Sequence, residues 1–226
     1  METNNKRLVK IVIPDAGPIN TLAAANLLPL LLAPQNTQLV VIYSVFKENI
    51  LRAPELKAFM DANSERILIV KTSVCIDDEA KTQRGEPLGK DRGELAIAAF
   101  ILSEIDEAIG NSPALIIYED RKFGRLHSLN YQISENSHFI TTAAYLRKLE
   151  VEGIIKSFDL VWKQITDANF SIDRQQNRSP NNMEVEKETN RGSVIFPQAN
   201  NSGNSVDKEN VSTQQVKKEN VAWKYK

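Results

Sequence analysis

The sequence predicts an α/β protein built as three layers, α/β/α, around a central, mostly parallel sheet of about five strands. Three observations carry this. Short apolar runs rich in Val and Ile recur between residues 8 and 141. Helix-forming stretches separate most of them, so strands and helices alternate. The runs are apolar at nearly every position rather than at every second one, as expected of strands buried on both faces by flanking helices.

LVKIVIP (Leu8–Pro14) is the first strand, ended by Pro14, Asp15 and Gly17. A helix starting near Pro18 suits a proline in a first turn and runs through TLAAANLL. QLVVIY (Gln38–Tyr43) is the second strand, and Ser44 is placed to cap VFKENILRAPELKAFM, which Pro54 must break. RILIV (Arg66–Val70) is the third strand. The polar stretch Lys71–Lys90 reads as a loop with a turn of helix. Asp91 or Gly93 then opens GELAIAAFILSEIDEAI, apolar at Ile97, Ile101 and Ile105 and ended by Gly110. ALIIY (Ala114–Tyr118) is the fourth strand and RKFGRLHSL a short helix. HFIT (His138–Thr141) is the fifth strand, and TAAYLRKLEVEGII the closing helix.

Composition divides the 226 residues. From Ser171 to Lys226, 14 of 56 residues are apolar, against 81 of the 170 before them, and the same segment holds 20 Asn, Ser and Gln. Such a stretch buries too little apolar surface to offset chain entropy, so residues 171–226 read as a polar, disordered tail. Two apolar islands, SVIFP (Ser193–Pro197) and VAWKY (Val221–Tyr225), read as tail rather than as docking segments, although folding onto the domain or a partner is a separate possibility. VDKENV and VKKENV, ten residues apart, read as a local duplication.

With 28 basic against 29 acidic residues, no global positive field favours non-specific nucleic-acid binding. One cysteine, Cys75, excludes an internal disulfide and suits a reducing compartment; it reads as a loop thiol. No apolar run approaches the roughly 20 residues of a membrane span. A cytoplasmic protein with no membrane attachment is expected.

Carboxylates gather where such a sheet binds ligands, beyond the carboxyl ends of its strands. Asp15 follows the first strand and Asp120 the fourth, Glu48 lies one turn into the helix after the second, and Glu94 opens the helix before the fourth. An acid in a first helical turn has a routine electrostatic explanation, worth roughly 0.3–1 kcal/mol. Asp15 is harder to dismiss, because the end of a buried strand is a costly place for a lone carboxylate. Several carboxylates at one edge repel each other unless a cation sits among them.

These residues carry a resemblance. LVKIVIPDAGPINTL resembles the opening of a PIN domain, the nuclease fold of many bacterial toxins of the VapC type. LGKDRGELAIAAF is similar to the family's D-x-G-E and small-residue helix, LIIYEDRKFGRL to its fourth strand with D-R-K, and ITTAAYLRKLEVEGII to its last strand and closing helix. The four segments, in order, span about residues 8–156, and the resemblance implies a PIN-like nuclease domain over residues 7–165. It implies metal-site acids at Asp15, Glu94 and Asp120, a further catalytic acid at Glu48, and a hydroxyl at the mouth of the site, Thr142. Ala16, where Ser or Thr is common, and Tyr118, where smaller residues are common, depart from the pattern.

The implied chemistry is hydrolysis of RNA by a Mg²⁺- or Mn²⁺-dependent endoribonuclease. A dication neutralises the phosphate and acidifies water near neutral pH. Oxygen-only donors favour Mg²⁺ or Mn²⁺, whereas zinc recruits His or Cys, and His127, His138 and Cys75 form no spaced ligand pair. Lys90, Arg92, Arg121, Lys122 and Arg125 flank the acids; Arg121 and Lys122 adjoin Asp120 and are the best candidates for contacting substrate. By resemblance, the protein is the toxin of a toxin–antitoxin-like pair, a homodimer held silent by an antitoxin-like protein. The alternative is a catalytically weak or inactive PIN-like module that binds RNA or a protein. A phosphoacceptor domain is disfavoured because Asp15-Ala16-Gly17 lacks a second acid, and no G-x-S-x-G supports a serine hydrolase.

Overall fold

The computed structural model describes residues 7–50, 53–119, 136–168 and 194–195. Five strands form one sheet: β1 (Ile11–Pro14), β2 (Gln38–Ile42), β3 (Ile67–Val70), β4 (Ala114–Tyr118) and β5 (Ser137–Thr141). Their order across the sheet is β3-β2-β1-β4-β5, and every neighbouring pair is parallel. The expected mostly parallel sheet is thus wholly parallel among the described strands. Every residue of β1 and β4 is buried. Successive side chains of a strand point to opposite faces, so both faces are covered and the architecture is three-layered.

The helices are α1 (Ala16–Ala24), α2 (Tyr43–Ile50), α3 (Glu55–Ala62), α4 (Ser73–Gln83), α5 (Arg92–Ser103), α6 (Ile105–Ile109), α7 (Thr142–Val151) and α8 (Phe158–Asp167). A 3₁₀ turn covers Leu28–Leu32. The apolar core joins the sheet to these helices through side chains such as Ile13, Leu22, Val41, Ile97, Ile116 and Leu146. No described helix is long and apolar enough to cross a membrane.

Several boundaries differ from expectation for local reasons. Helix α1 begins at Ala16, so Pro18 stands in its first turn rather than at its start. Tyr43 opens α2 instead of ending β2, and Ser44 lies inside that helix rather than capping it. Pro54 does separate α2 from α3. The expected long helix after Asp91 is two, α5 and α6, with Gly110 at φ +59 ending the second.

Lys71–Lys90 is corrected most. It holds α4, eleven residues long, where a loop with a turn of helix was expected. The helix is too polar to show an apolar stripe. It is supported instead by the Lys81–Asp77 pair one turn apart, at 2.7 Å, and by Arg92 of α5, which reaches Asp78 at 2.5 Å and Asp77 at 3.4 Å. Cys75 is accordingly a buried helical thiol, not a loop one. Ser44 donates a hydrogen bond to its Sγ at 3.2 Å.

Helix α8 was not anticipated, although its signals are present. The Ser157 hydroxyl accepts from the Leu160 amide at 3.3 Å, Phe158 stacks on Trp162, and Arg147 of α7 lies 4.2 Å from the Phe158 ring centre. Nearby, the fully buried Tyr145 of α7 donates to the Leu30 carbonyl at 2.7 Å. Replacing Tyr145 by Phe is expected to cost about 0.5–1.5 kcal/mol of unfolding free energy, read from urea titrations, because one hydrogen bond is lost while the Leu30 carbonyl keeps the Ala33 N–H at 3.2 Å.

The two residues Val194–Ile195 pair in parallel with Arg7–Leu8, next to the start of β1. One island of the polar tail therefore returns to the domain, against the reading of it as mere tail. The rest of residues 171–226 and the expected helix RKFGRLHSL lie outside the described residues.

Candidate functional site

In a sheet of order β3-β2-β1-β4-β5 the strand order reverses between β1 and β4. The crevice beyond the carboxyl ends of those two strands is where open parallel sheets bind ligands. Because all five strands run the same way, the residues that follow them stand along one edge in the order Lys71, Tyr43, Asp15, Glu119, Thr142. Asp15 and Glu119 flank the reversal.

Asp15 is fixed by its backbone, whose N–H donates to the Ile117 carbonyl of β4 at 2.8 Å and extends the sheet ladder by one step. Its side chain is 6% exposed. Burial pushes its pKa from the ordinary 3.8 up to about 7; the backbone N–H of Ala16 opposes the rise, and the charges of Glu94, Glu48 and Glu119 reinforce it. Four acids from four separate stretches of sequence therefore share one electrostatic neighbourhood.

Glu119 is held from two sides. Thr21 of α1 and Thr142 at the start of α7 both donate to its Oε1, at 2.6 and 2.7 Å. Gly17 makes room for it: a Cβ there would stand 3.0 Å from the Glu119 Cβ and 3.1 Å from its Oε2. Glu94 stands in the first turn of α5, which the chain enters through Asp91 at φ +58, a left-handed conformation that Asp tolerates better than most residues. Glycine at 93 lets α5 approach α2, since a Cβ there would meet Val45 Cγ2 at 3.3 Å and Glu48 Oε2 at 3.5 Å. The two glycines thus lie directly beneath two of the four carboxylates.

Of the acids expected from sequence, Glu48 and Glu94 act on Asp15 through their charges, and Thr142 reaches the same crevice through Glu119. Asp120, Arg121 and Lys122 lie outside the described residues. Arg92 is tied to Asp78 and Asp77 and braces α4 against α5. His138 lies on the edge strand β5, as expected. Sequence reasoning missed Glu119. Its signal was present in YED: Tyr118 closes β4, so the residue directly after the strand, matching Asp15 after β1, is Glu119 rather than Asp120.

No family model, curated protein or solved structure matches this chain. The chemistry must therefore be read from the crevice itself. Its acids offer only oxygen donors, suited to a hard dication such as Mg²⁺ or Mn²⁺. Among the described residues no three His, Cys, Asp or Glu side chains stand close enough to hold one ion as they are placed. A hollow of about 470 Å³ at the opposite edge, lined by Gln38, Glu65 and Arg66 among others, is a weaker candidate. There the Arg66 guanidinium is already spent on the Pro34 and Thr37 carbonyls, at 2.8 and 3.1 Å.

Proposed function

We propose that this chain is a Mg²⁺- or Mn²⁺-dependent endoribonuclease of the PIN type, acting at the crevice between β1 and β4. One observation carries the reading. Asp15 is buried where the strand order reverses and is surrounded by the charges of Glu48, Glu94 and Glu119. Burying a carboxylate among three others is costly and adds nothing to packing, so its use lies in what it attracts. The PIN-like segments of the sequence point to two of these residues, Asp15 and Glu94.

In this reading Asp15, Glu94 and Asp120 hold the ion, with Glu119 as an additional acid supplied by β4. A dication bound there supplies counter-charge to the phosphate and acidifies water. Thr21 and Thr142 keep Glu119 in one orientation. In this reading Glu48, exposed on α2, accepts a proton or orients the attacking water. By the same resemblance the protein acts as the toxin of a toxin–antitoxin-like pair, is homodimeric and is silenced by an antitoxin-like protein.

The spread of the described acids favours a second reading, a PIN-like module that binds RNA or a protein without cutting. Calorimetry separates the two. The nuclease takes up Mn²⁺ with heat and cuts single-stranded RNA in Mn²⁺ but not in EDTA. A silent titration together with uncut RNA assigns the chain to the binding module.

A further inference from the structure

The edge that carries the acids does not stay acidic along its length. On the β2 side, the residues following β2 and β3 are Tyr43 and Lys71, and α2 adds Lys47 one turn after Tyr43. Both ammonium groups gather on the same ring: Lys71 Nζ lies 4.4 Å and Lys47 Nζ 5.6 Å from the Tyr43 ring centre. Lys47 is exposed, and the Lys71 side chain is 30% exposed. Lys71 also meets both carboxylate oxygens of Glu79 on α4, at 2.9 and 3.0 Å. Lys71 beside it holds the Glu79 carboxyl below the ordinary glutamate value, helped by the Tyr43 hydroxyl and by Lys47.

Helix α2 therefore presents Lys47 towards Tyr43 and Glu48 towards Gly93 and the acid crevice. Strands stand about 4.8 Å apart, so the backbone at Lys71 lies about 10 Å from that at Asp15, and the one at Tyr43 about half as far. Two cations held against an aromatic ring, one or two strands from a carboxylate crevice, suit an extended polyanion whose neighbouring phosphate must be neutralised while the reacting one sits among the acids.

We propose that Lys47 and Lys71, organised on Tyr43, form a subsite for the phosphate next to the scissile one, so that single-stranded RNA lies along the carboxyl edge from Thr142 towards Lys71. The subsite rests on the nuclease reading and supplies that site with a direction for its substrate. Glu79 tempers it by sharing Lys71.

The test uses full-length protein carrying Asp15→Asn, so that RNA is not cut, and a short fluorescein-labelled single-stranded RNA followed by anisotropy across a salt series. Adding Lys47→Ala and Lys71→Ala is expected to weaken binding about tenfold at low salt and to reduce the slope of log affinity against log salt by about 1, as loss of one to two phosphate contacts requires. Glu79→Gln, which removes the competing carboxylate, is expected to tighten binding about two- to threefold. A merely structural ion pair would respond the other way, because losing Glu79 would then loosen Lys71 from Tyr43. Unchanged binding in the double-lysine variant, or weaker binding in Glu79→Gln, overturns the subsite. Failure of the nuclease reading looks different: wild-type protein leaves RNA uncut in Mn²⁺ whatever the lysine variants do.

Discussion

Replacing Asp15 by asparagine is expected to reduce RNA cleavage roughly 1,000-fold, the scale on which a single preorganised electrostatic group acts, and yet to make the metal-free protein harder to unfold at alkaline pH. Both effects have one source. In the folded protein Asp15 keeps its proton up to about pH 7, whereas the unfolded chain releases it near 3.8. Between those values the native state binds more protons than the unfolded state, so stability from this group is fully present below 3.8, declines as pH rises, and is lost above about pH 7. Asparagine has no proton to lose. The stability difference between variant and wild type should therefore shift in favour of the variant by roughly 2–3 kcal/mol between about pH 5 and about pH 8. Saturating Mn²⁺ should offset the advantage, since a cation held at 100 times its dissociation constant adds about 2.7 kcal/mol to the protein that binds it. Urea titrations at the two pH values, with and without Mn²⁺, read all of this. Parallel stability profiles for the two proteins would show that Asp15 is not the perturbed acid.

Glu119→Gln is expected to lower cleavage roughly 100-fold and Mn²⁺ affinity at least tenfold, at little cost in stability. The amide oxygen can still accept from Thr21 and Thr142, so the side chain keeps its place and only its charge is removed. The prediction is sharp because the sequence motif points one residue further on, to Asp120. If Glu119→Gln retains full activity and Mn²⁺ affinity, the acid after β4 is spatially close to the site without belonging to its chemistry. Gly17→Ala offers an independent check on geometry, since the added Cβ approaches Glu119 to 3.0 Å and must displace the carboxylate or itself.

The architecture was legible because its signals are local. Runs such as VVI and LIIY are apolar at every position, and only a sheet covered on both faces buries them. Asp15 could be singled out for the same reason, as a charge placed at the end of such a run. Helix α4 was hidden because its support is tertiary: Arg92, nine residues after it ends, neutralises Asp78, and no periodic stripe announces that partnership. The stacking of Phe158 on Trp162 was equally invisible as an anchor for α8 until both stood on one helix face.

The residues by themselves determined the parallel α/β sheet, its strand positions to within a few residues, and the candidacy of Asp15, because burial of apolar strands and the cost of a lone carboxylate follow from composition along the chain; Glu48 and Glu94 were singled out by the resemblance to PIN domains. Tertiary structure decided which of them meet, that Glu119 stands opposite Asp15 with two threonines on one oxygen, and that Lys47 and Lys71 share a ring beside them. The physical reason is strand order. Which strand ends become neighbours depends on crossover connections spanning tens of residues, and electrostatic coupling acts through space between groups that the chain keeps far apart.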